Sequence, residues 1–299
     1  MKTTCLVLLP VGPKTNINFL NDTLDSILYY IGSETKTCTI LVIDDTRDDS
    51  LEYLDVDYKT VIRRRAKNYP GEENRSEAAT GLLFGKLINA LDHIVGSLEF
   101  DLLLKIDTDT LIIGESPHLD ALDFFDLHPT VGMLGAFQRR GDGTNKRLAM
   151  RGKGLQLKRE MSFPFCLRNL KLRNAIKMLV RQAQKSVGFE LGNTVTGGGY
   201  FISGKAISDL KQSNKLTDEL RFSVVSEDTL FALLVASEGY ELSDPDLEND
   251  FMAINWRGLP MPLEELVAKK KKIVHPVKLD DPDAEEQIRN YFKQFRIVI

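Results

Sequence analysis

The stretch Leu102-Leu-Leu-Lys-Ile-Asp-Thr-Asp109 decides the fold of this chain. A short apolar run that passes directly into acidic residues predicts a buried strand, here residues 101–106, followed by a tight turn. Further strands are predicted over residues 4–9, 37–43 and 58–62, and helices over residues 18–30 and 79–95. Strands that alternate with helices favour an α/β fold with a mostly parallel sheet flanked by helices.

The composition is that of an ordinary folded protein. The chain has 299 residues, of which 42% are hydrophobic and 27% charged, so it is long enough to bury a large core. Its net charge of −4 gives no case for nucleic-acid binding. Cys5, Cys38 and Cys166 are not spaced as a metal motif or a paired framework, which favours a reducing, cytoplasmic setting. We expect no membrane span, because no apolar run is long enough.

Acidic pairs follow two of the predicted strands at the point where each strand ends. Asp107 and Asp109 follow one strand, and Asp44 and Asp45 follow another. Ligands of such sheets bind beyond the carboxyl ends of the strands, so we expect these acids at one ligand-binding edge. Four unpaired carboxylates at one edge repel one another unless a cation, or a ligand with several hydrogen-bond donors, binds them.

Asp107 and Asp109 have the chemistry of a divalent-metal site. Carboxylate oxygens suit Mg²⁺ or Mn²⁺, and such an ion neutralises the phosphate oxygens of a leaving group. A solvated turn is the alternative, but apolar residues 102–106 and 111–113 bracket this turn. His275 is a candidate third ligand, and a structural or surface histidine is its alternative. Asp44 or Asp45 is a candidate partner for a nucleoside, with a helix cap or a loop acid as the alternative.

Two segments in the second half of the chain are candidates for the rest of a site. Thr196-Gly-Gly-Gly-Tyr-Phe-Ile-Ser203 holds three glycines that permit close backbone approach, which predicts a pocket wall or a loop that feeds a strand. Ser226-Glu-Asp228 precedes a predicted amphipathic helix over residues 229–238. Asp228 is the candidate general base and Glu227 an orienting residue, although acids at a helix start are also favoured by the helix dipole. Trp256 is a candidate for stacking on a ligand or for packing.

A basic segment separates these two halves. Residues 138–185 hold fourteen Lys and Arg and two acids, so the segment carries +12 and the rest of the chain −16. Residues 163–184 place Leu167, Leu170, Met178 and Leu179 among basic residues, which predicts a basic amphipathic helix. Three roles stay open for this segment. It contacts an anionic membrane peripherally, it binds an anionic acceptor molecule such as a phosphorylated or acidic glycan, or it forms a lid on the acceptor side of the site with a solvated basic face.

In this order, the segments resemble those of GT-A-fold glycosyltransferases. The resemblance is strongest to the inverting β1,3-galactosyltransferase and Fringe-like group, with family-two glycosyltransferases behind it. Gly85-Lys86-Leu87 is similar to that group's Leu-Lys-Thr helix, residues 104–112 to its strand and metal motif, and residues 196–203 to its glycine-rich strand. Glu227-Asp228 is similar to its Glu-Asp pair and His275 to its late metal-binding histidine, whereas Asp44-Asp45 is similar to the Val-Asp-Asp motif of family two.

The resemblance implies metal-dependent, inverting transfer of a sugar from a nucleotide-diphosphate donor, UDP-linked, to a hydroxyl of a glycan or lipid-linked glycan. It implies a Mn²⁺ or Mg²⁺ ion on Asp107, Asp109 and His275, with Asp228 as the base. The residues expected to contact the donor are Pro10, Asp44, Asp45, Lys86, Asp107, Gly198 and Gly199.

We expect a single domain over residues 1–299. It would comprise a nucleotide-binding half at 1–137, a basic helical insert at 138–190 and an acceptor-binding half at 191–299.

The chain departs from the galactosyltransferase group in ways that leave further functions open. We expect neither the membrane anchor nor the disulfides of that group, and Asp-Thr-Asp replaces its Asp-Asp-Asp. We therefore expect a cytoplasmic protein, which could also bind peripherally to the inner face of the membrane. A nucleotidyltransferase would need a glycine-rich phosphate loop, of which Pro10-Val-Gly-Pro13 is a poor version. A retaining transferase and a non-catalytic glycan- or membrane-binding module also remain compatible with the sequence.

Overall fold

The computed structural model describes residues 2–13, 15–32, 34, 36–46, 60–69, 80–163 and 169–296. Residues 58 and 59 of the third predicted strand lie outside these ranges, as do Cys166 and Leu167. Within the described ranges, no helix has the length and apolar character needed to cross a membrane.

A seven-stranded sheet forms the centre of the structure. Its strands are β1 (Lys2–Val11), β2 (Cys38–Asp44), β3 (Val61–Arg65), β4 (Glu99–Ile106), β6 (Val131–Gly135), β7 (Gly199–Ser203) and β8 (Glu241–Ser243). They lie in the order β3-β2-β1-β4-β7-β6-β8, and the first four are mutually parallel. The predicted α/β fold with a mostly parallel sheet is confirmed.

Helices cover both faces of this sheet because successive side chains of a strand point to opposite faces. The helices are α1 (Ile17–Tyr30), α2 (Thr80–Ile94), α3 (Pro117–Leu127), α4 (Arg147–Met161), α5 (Leu170–Val187), α6 (Gly204–Gln212), α7 (Glu227–Ser237), α8 (Leu263–Ala268) and α9 (Pro282–Lys293). Val7 and Leu9 of β1 pack in one cluster with α1, whereas Leu6 and Leu8 pack in another with α2 and α7.

Strand β7 runs against its two neighbours, and this direction places the glycine-rich segment. It lies between β4 and β6 and is antiparallel to both. Its first residue, Gly199, pairs with Ile106, the last residue of β4. The glycines that precede β7 therefore reach the acidic turn that follows β4. Apolar patterning carries no strand direction, so the sequence did not predict this arrangement.

A second, three-stranded sheet brings distant parts of the chain to the same turn. Its strands are β5 (Leu111–Ile112), β9 (Met252–Ile254) and β10 (Ile273–His275), in the order β5-β10-β9. β10 is antiparallel to β5, and Val274 pairs with Leu111. Because β5 begins directly after the turn at residues 107–109, this ladder places His275 beside that turn.

The basic segment contributes α4 and α5, which lie between β6 and β7 in the chain. α5 is amphipathic, but its apolar side faces the interior and packs against α7. Leu179 is buried there, whereas Leu170 and Met178 are exposed. The buried stripe of α5 belongs to the core, so it is not the apolar surface that a membrane helix would present.

Helix α7 corresponds to the predicted helix over residues 229–238, but it is not amphipathic. Every residue from 229 to 237 is buried, and the helix contacts α2, α5 and α6 as well as the sheet. A helix that is apolar on all sides belongs in the interior of a protein. Packing on all sides therefore fixes the N-terminal end of α7, where Glu227 and Asp228 lie.

Buried ion pairs join α9 and the residues that follow it to α1. Arg289 Nη1 lies 3.1 Å from Asp22 Oδ2, and Arg296 Nη2 lies 2.6 Å from Asp22 Oδ1. Arg289 Nη2 also donates to the carbonyl oxygen of Thr108 at 3.0 Å, and Thr23 Oγ1 donates to the same oxygen at 2.9 Å. These bonds tie the middle of the acidic turn to α1 and α9.

We predict that Asp22→Asn lowers the free energy of unfolding by about 3–5 kcal/mol, the usual effect of removing one partner of a buried ion pair. Arg289 and Arg296 would lose the carboxylate between them. Urea denaturation at neutral pH measures the change. Asp126→Asn, at an exposed position of α3, is the control and should change stability by less than about 0.5 kcal/mol. Equal stability of Asp22→Asn and the unaltered protein would contradict the prediction.

Candidate metal and catalytic site

Asp107, Asp109 and His275 meet beyond the carboxyl end of β4. His275 Nε2 lies 3.3 Å from Asp109 Oδ1 and 3.9 Å from Asp107 Oδ2. One potential ligand atom from each residue lies within 4.8 Å of the other two. Two carboxylate oxygens and an imidazole nitrogen form a donor set suited to a divalent ion. The three residues predicted as metal ligands are therefore close enough to hold one ion.

A backbone hydrogen bond orients the imidazole of His275. Nδ1 lies 2.8 Å from the carbonyl oxygen of Asn255, so in the neutral ring Nδ1 donates its proton and Nε2 presents its lone pair to the carboxylates. Burial by itself lowers the pKa of His275, but the hydrogen bond and charge of Asp109 and the charge of Asp107 raise it above its ordinary value. The two carboxylates thus favour positive charge at this point, as a proton or as a bound ion.

Glycine at position 198 permits this arrangement. A Cβ atom there would lie 1.9 Å from His275 Nδ1, so any other residue would displace the ring. The Gly198 carbonyl oxygen accepts hydrogen bonds from Thr110 Oγ1 at 2.6 Å and from the Asp107 N–H at 3.2 Å. The glycine segment, which the sequence left as a pocket wall or a loop, is a loop into β7 that lies against the candidate metal ligands.

Sequence reasoning assigned no role to Lys105, which links the two acidic motifs. Its Nζ donates to Asp107 Oδ1 at 2.6 Å, to the Gly197 carbonyl oxygen at 2.6 Å and to Glu227 Oε1 at 3.1 Å. Its side chain is 1% exposed. Burial lowers the pKa of Lys105, but the charges of Asp107 and Glu227 outweigh that effect and raise it. A lysine inside the apolar run of β4 was the signal for a buried ion-pair network.

Glu227 and Asp228 differ in their surroundings at the start of α7. Glu227 is buried, and burial raises the pKa of its carboxyl to about 7, with the ammonium of Lys105 opposing the shift. Asp228 is partly exposed, and its Oδ1 accepts hydrogen bonds from Ser226 Oγ and from the Thr229 N–H. Asp228 Oδ2 faces Gly197, where a Cβ atom would lie 3.4 Å away. Asp228 is therefore the more accessible of the two carboxylates.

A second buried lysine, which the sequence also gave no reason to single out, interacts electrostatically with Asp228. Lys146 Nζ donates to the carbonyl oxygens of Ala136 at 2.5 Å and Thr194 at 3.1 Å. Burial lowers the pKa of Lys146 to about 8, although the charge of Asp228 acts in the opposite direction. The positive charge of Lys146 adds to the basic groups that surround the acidic edge.

The four acids at the sheet edge each have a basic partner within the protein, so side chains of the chain itself relieve the repulsion expected among these carboxylates. Asp44 accepts from Arg63 Nη2 at 2.8 Å and from Arg65 Nη1 at 3.0 Å, and its side chain is 0% exposed. Burial opposes its ionisation, but hydrogen bonds from Thr46 and the two arginines hold the pKa of Asp44 below its ordinary value. Thr46, Arg63 and Arg65 therefore enclose the Asp44 carboxylate, and solvent does not reach it.

Asp45 is the acid of this pair that solvent reaches. Its Oδ1 lies 2.6 Å from Lys86 Nζ, and the Asp45 side chain is 26% exposed, compared with 2% for Lys86. Lys86 lies on α2, in the segment that resembles the Leu-Lys-Thr helix. It thus orients Asp45 from inside the protein.

Pro10 and Gly199 lie at strand ends of the same sheet. Pro10 of β1 is partly buried and pairs with Ile43 of β2, and Gly199 is buried at the start of β7. Neither side chain offers a polar group, so any contact of these residues with a nucleotide-sugar donor would use backbone atoms. Their role in donor binding stays a prediction.

Trp256 is 70% exposed, with the Arg257 guanidinium 4.4 Å from its ring centroid. Trp256 is therefore not a core packing residue.

Comparison with known proteins gives little further information. No protein-family model matches the sequence, and no curated protein matches it. Among solved structures, the chain is similar to mouse xyloside xylosyltransferase 1 in its apo form, with 13% sequence identity over 82% of this chain and 85% of that chain and a TM-score of 0.41. A similarity this distant does not extend to substrate or mechanism, so the geometry of the site carries the functional argument.

We predict that a divalent ion stabilises the protein and that His275→Ala abolishes this effect, because binding to the folded state alone raises its stability. The melting temperature, measured with and without Mn²⁺ or Mg²⁺, reports the metal-dependent shift. Gly198→Ala should also abolish the metal-dependent shift by displacing the His275 ring. His93→Ala, at an exposed position, and Gly152→Ala, where a Cβ atom meets nothing within 4 Å, are matched controls that should keep it. An undiminished shift in His275→Ala would rule out this metal site.

Proposed function

We propose that this protein is a metal-dependent glycosyltransferase that transfers a sugar from a nucleotide-diphosphate donor to a hydroxyl of a glycan or lipid-linked glycan. One observation carries the proposal. Asp107, Asp109 and the Nε2 atom of His275 converge beside the loop that also contacts the carboxylates of Glu227 and Asp228. A candidate metal site and a candidate base thus share one glycine-rich loop, and the motifs resemble those of inverting GT-A enzymes in type and order.

The donor diphosphate would lie at the candidate metal ligands. Asp107, Asp109 and His275 would hold Mn²⁺ or Mg²⁺, which supplies Lewis-acid stabilisation of the negative charge on a leaving diphosphate. Lys105 holds Asp107 through Oδ1, so Oδ2 is the oxygen that faces His275. Asp45, oriented by Lys86, would accept a hydrogen bond from the nucleobase or the ribose of the donor. UDP could donate this bond through the imide N–H of uracil or through a ribose hydroxyl.

Asp228 is the proposed general base. It would take the proton of the acceptor hydroxyl as that oxygen attacks the anomeric carbon, while the bond from this carbon to the diphosphate oxygen breaks. Direct displacement of this kind inverts the anomeric centre. Oδ1 is held by Ser226 and Thr229, so Oδ2 is the oxygen available for the proton. Glu227 acts through Lys105 as a positioning residue for Asp107 and the Gly197 carbonyl.

The proposal is tested first by donor binding. We expect one nucleotide-sugar, from a panel with uridine, guanosine and other bases, to raise the melting temperature in the presence of Mn²⁺ and not with a chelator. Nucleoside diphosphates without the sugar serve as the control for the base and diphosphate. If no donor shifts the melting temperature with metal present, the donor-site proposal fails and a non-catalytic role becomes the better explanation.

We predict that Asp228→Asn lowers kcat by about a hundredfold or more, the usual effect of removing a general base, while the metal-dependent melting shift with the donor is retained. Turnover is measured with the donor found above and a panel of glycan acceptors. The exposed Asp126→Asn variant is the control for loss of one carboxylate. Normal turnover in Asp228→Asn would show that another group accepts the proton.

A further inference from the structure

One face of α4 presents basic and apolar side chains together. We call this the outer face, defined as the exposed residues Arg147, Leu148, Arg151, Leu155 and Lys158. Spacings of three and four positions put them on one side of the helix. Leu148 is 83% exposed and Leu155 is 61% exposed, and Phe163, just beyond the helix, is 78% exposed. Single exposed apolar residues are common, but two leucines among basic residues on one helix face, with Phe163 just beyond the helix end, favour an interaction surface.

The outer face carries no acid of its own. Glu160 is the acid of α4, and it points inwards, where it accepts hydrogen bonds from Ser223 Oγ at 2.6 Å and from the Val224 N–H at 2.7 Å. The opposite side of the helix is held by the core, with Gly154 and Leu157 buried. The charge on the outer face is therefore uniformly positive.

Helix α5, which packs against α4, repeats this composition. Its sequence contains no acid, and its exposed positions also combine apolar and basic residues. The exposed apolar and basic residues of α5 are Leu170, Lys171, Met178, Arg181 and Lys185. The apolar stripe of α5 that supports the core lies on its other side, so these residues have no packing role.

We propose that the outer face of α4 docks the protein on an anionic membrane surface. Cations in a lipid interface contact headgroup phosphates, while apolar side chains enter the boundary of the acyl chains. A soluble polyanion would satisfy the arginines and lysines but would leave Leu148, Leu155 and Phe163 in water. A second copy of the same face would be repelled by its like charge. An anionic bilayer matches both components of the surface.

The buried side of the same helix adjoins the candidate catalytic site. Lys153 Nζ donates to Ser226 Oγ at 2.5 Å, and Ser226 precedes the α7 N-terminus that bears Asp228. Docking would hold this end of the protein near the lipid surface. The proposal does not depend on the glycosyltransferase assignment, because vesicle binding requires neither donor nor metal.

Co-sedimentation with vesicles tests the proposal. The intact protein is expected to bind vesicles of phosphatidylcholine with added phosphatidylglycerol, more strongly at low salt, and not vesicles of phosphatidylcholine alone. The double variant Arg151→Glu/Lys158→Glu should weaken binding by about tenfold or more, because each basic residue near an anionic surface contributes to binding. The double variant Lys36→Glu/Lys293→Glu, at exposed lysines in other parts of the fold, is the matched control. It should bind the anionic vesicles at least several times better than the Arg151→Glu/Lys158→Glu variant.

A third variant separates a membrane from a soluble polyanion. Leu148→Ser/Leu155→Ser keeps every charge and should also lose most of its vesicle binding. Thermal melting confirms that each variant is folded, as the exposure of the altered positions leads us to expect. Failure of the intact protein to bind anionic vesicles overturns the proposal. Unchanged binding by the Leu148→Ser/Leu155→Ser variant also overturns it, because charge alone would then account for the interaction.

Discussion

The arrangement of the candidate site depends on the burial of one ammonium group, that of Lys105. A charge in the interior of a protein is stable only when its partners are close and its hydrogen bonds are satisfied. Lys105 meets this requirement with Asp107 from its own strand, Glu227 from the start of α7 and the carbonyl oxygen of Gly197. The need to satisfy one cation thus joins the acidic turn, the glycine-rich loop and α7 at one point.

The remaining acids at the sheet edge follow the same rule. Asp44 is enclosed by two arginines and Asp45 is paired with Lys86, while Asp109 faces His275. An acidic edge is therefore not by itself a sign that a ligand must neutralise it. What distinguishes the candidate metal site is geometry: an imidazole oriented through its Nδ1 atom, with Nε2 directed at two carboxylates.

The close contacts of the site also depend on glycine at positions 197 and 198, where a side chain would collide with neighbouring groups. A Cβ atom at Gly198 would overlap the His275 ring, and one at Gly197 would lie 2.8 Å from Glu227 Oε1. Because β7 is antiparallel to β4, this loop meets the end of β4 directly. The C-terminal helix completes the support, since Arg289 binds the carbonyl oxygen within the acidic turn.

The amino-acid sequence by itself determined the local elements and the chemistry available to them. Apolar runs and helical periodicity predicted β1, β2, β4, α1 and α2. The motifs predicted that Asp107, Asp109 and His275 share one metal ion, and these residues lie close enough to do so. Only the tertiary structure decided the direction of β7, the enclosure of Asp44, the burial of α7 on all sides and the role of Lys105. Each of these depends on contacts between residues far apart in the chain, such as Lys105 with Glu227 and Val274 with Leu111. Periodicity and motif spacing describe neighbours along the chain, and they contain no information about which distant charge or strand a residue will meet.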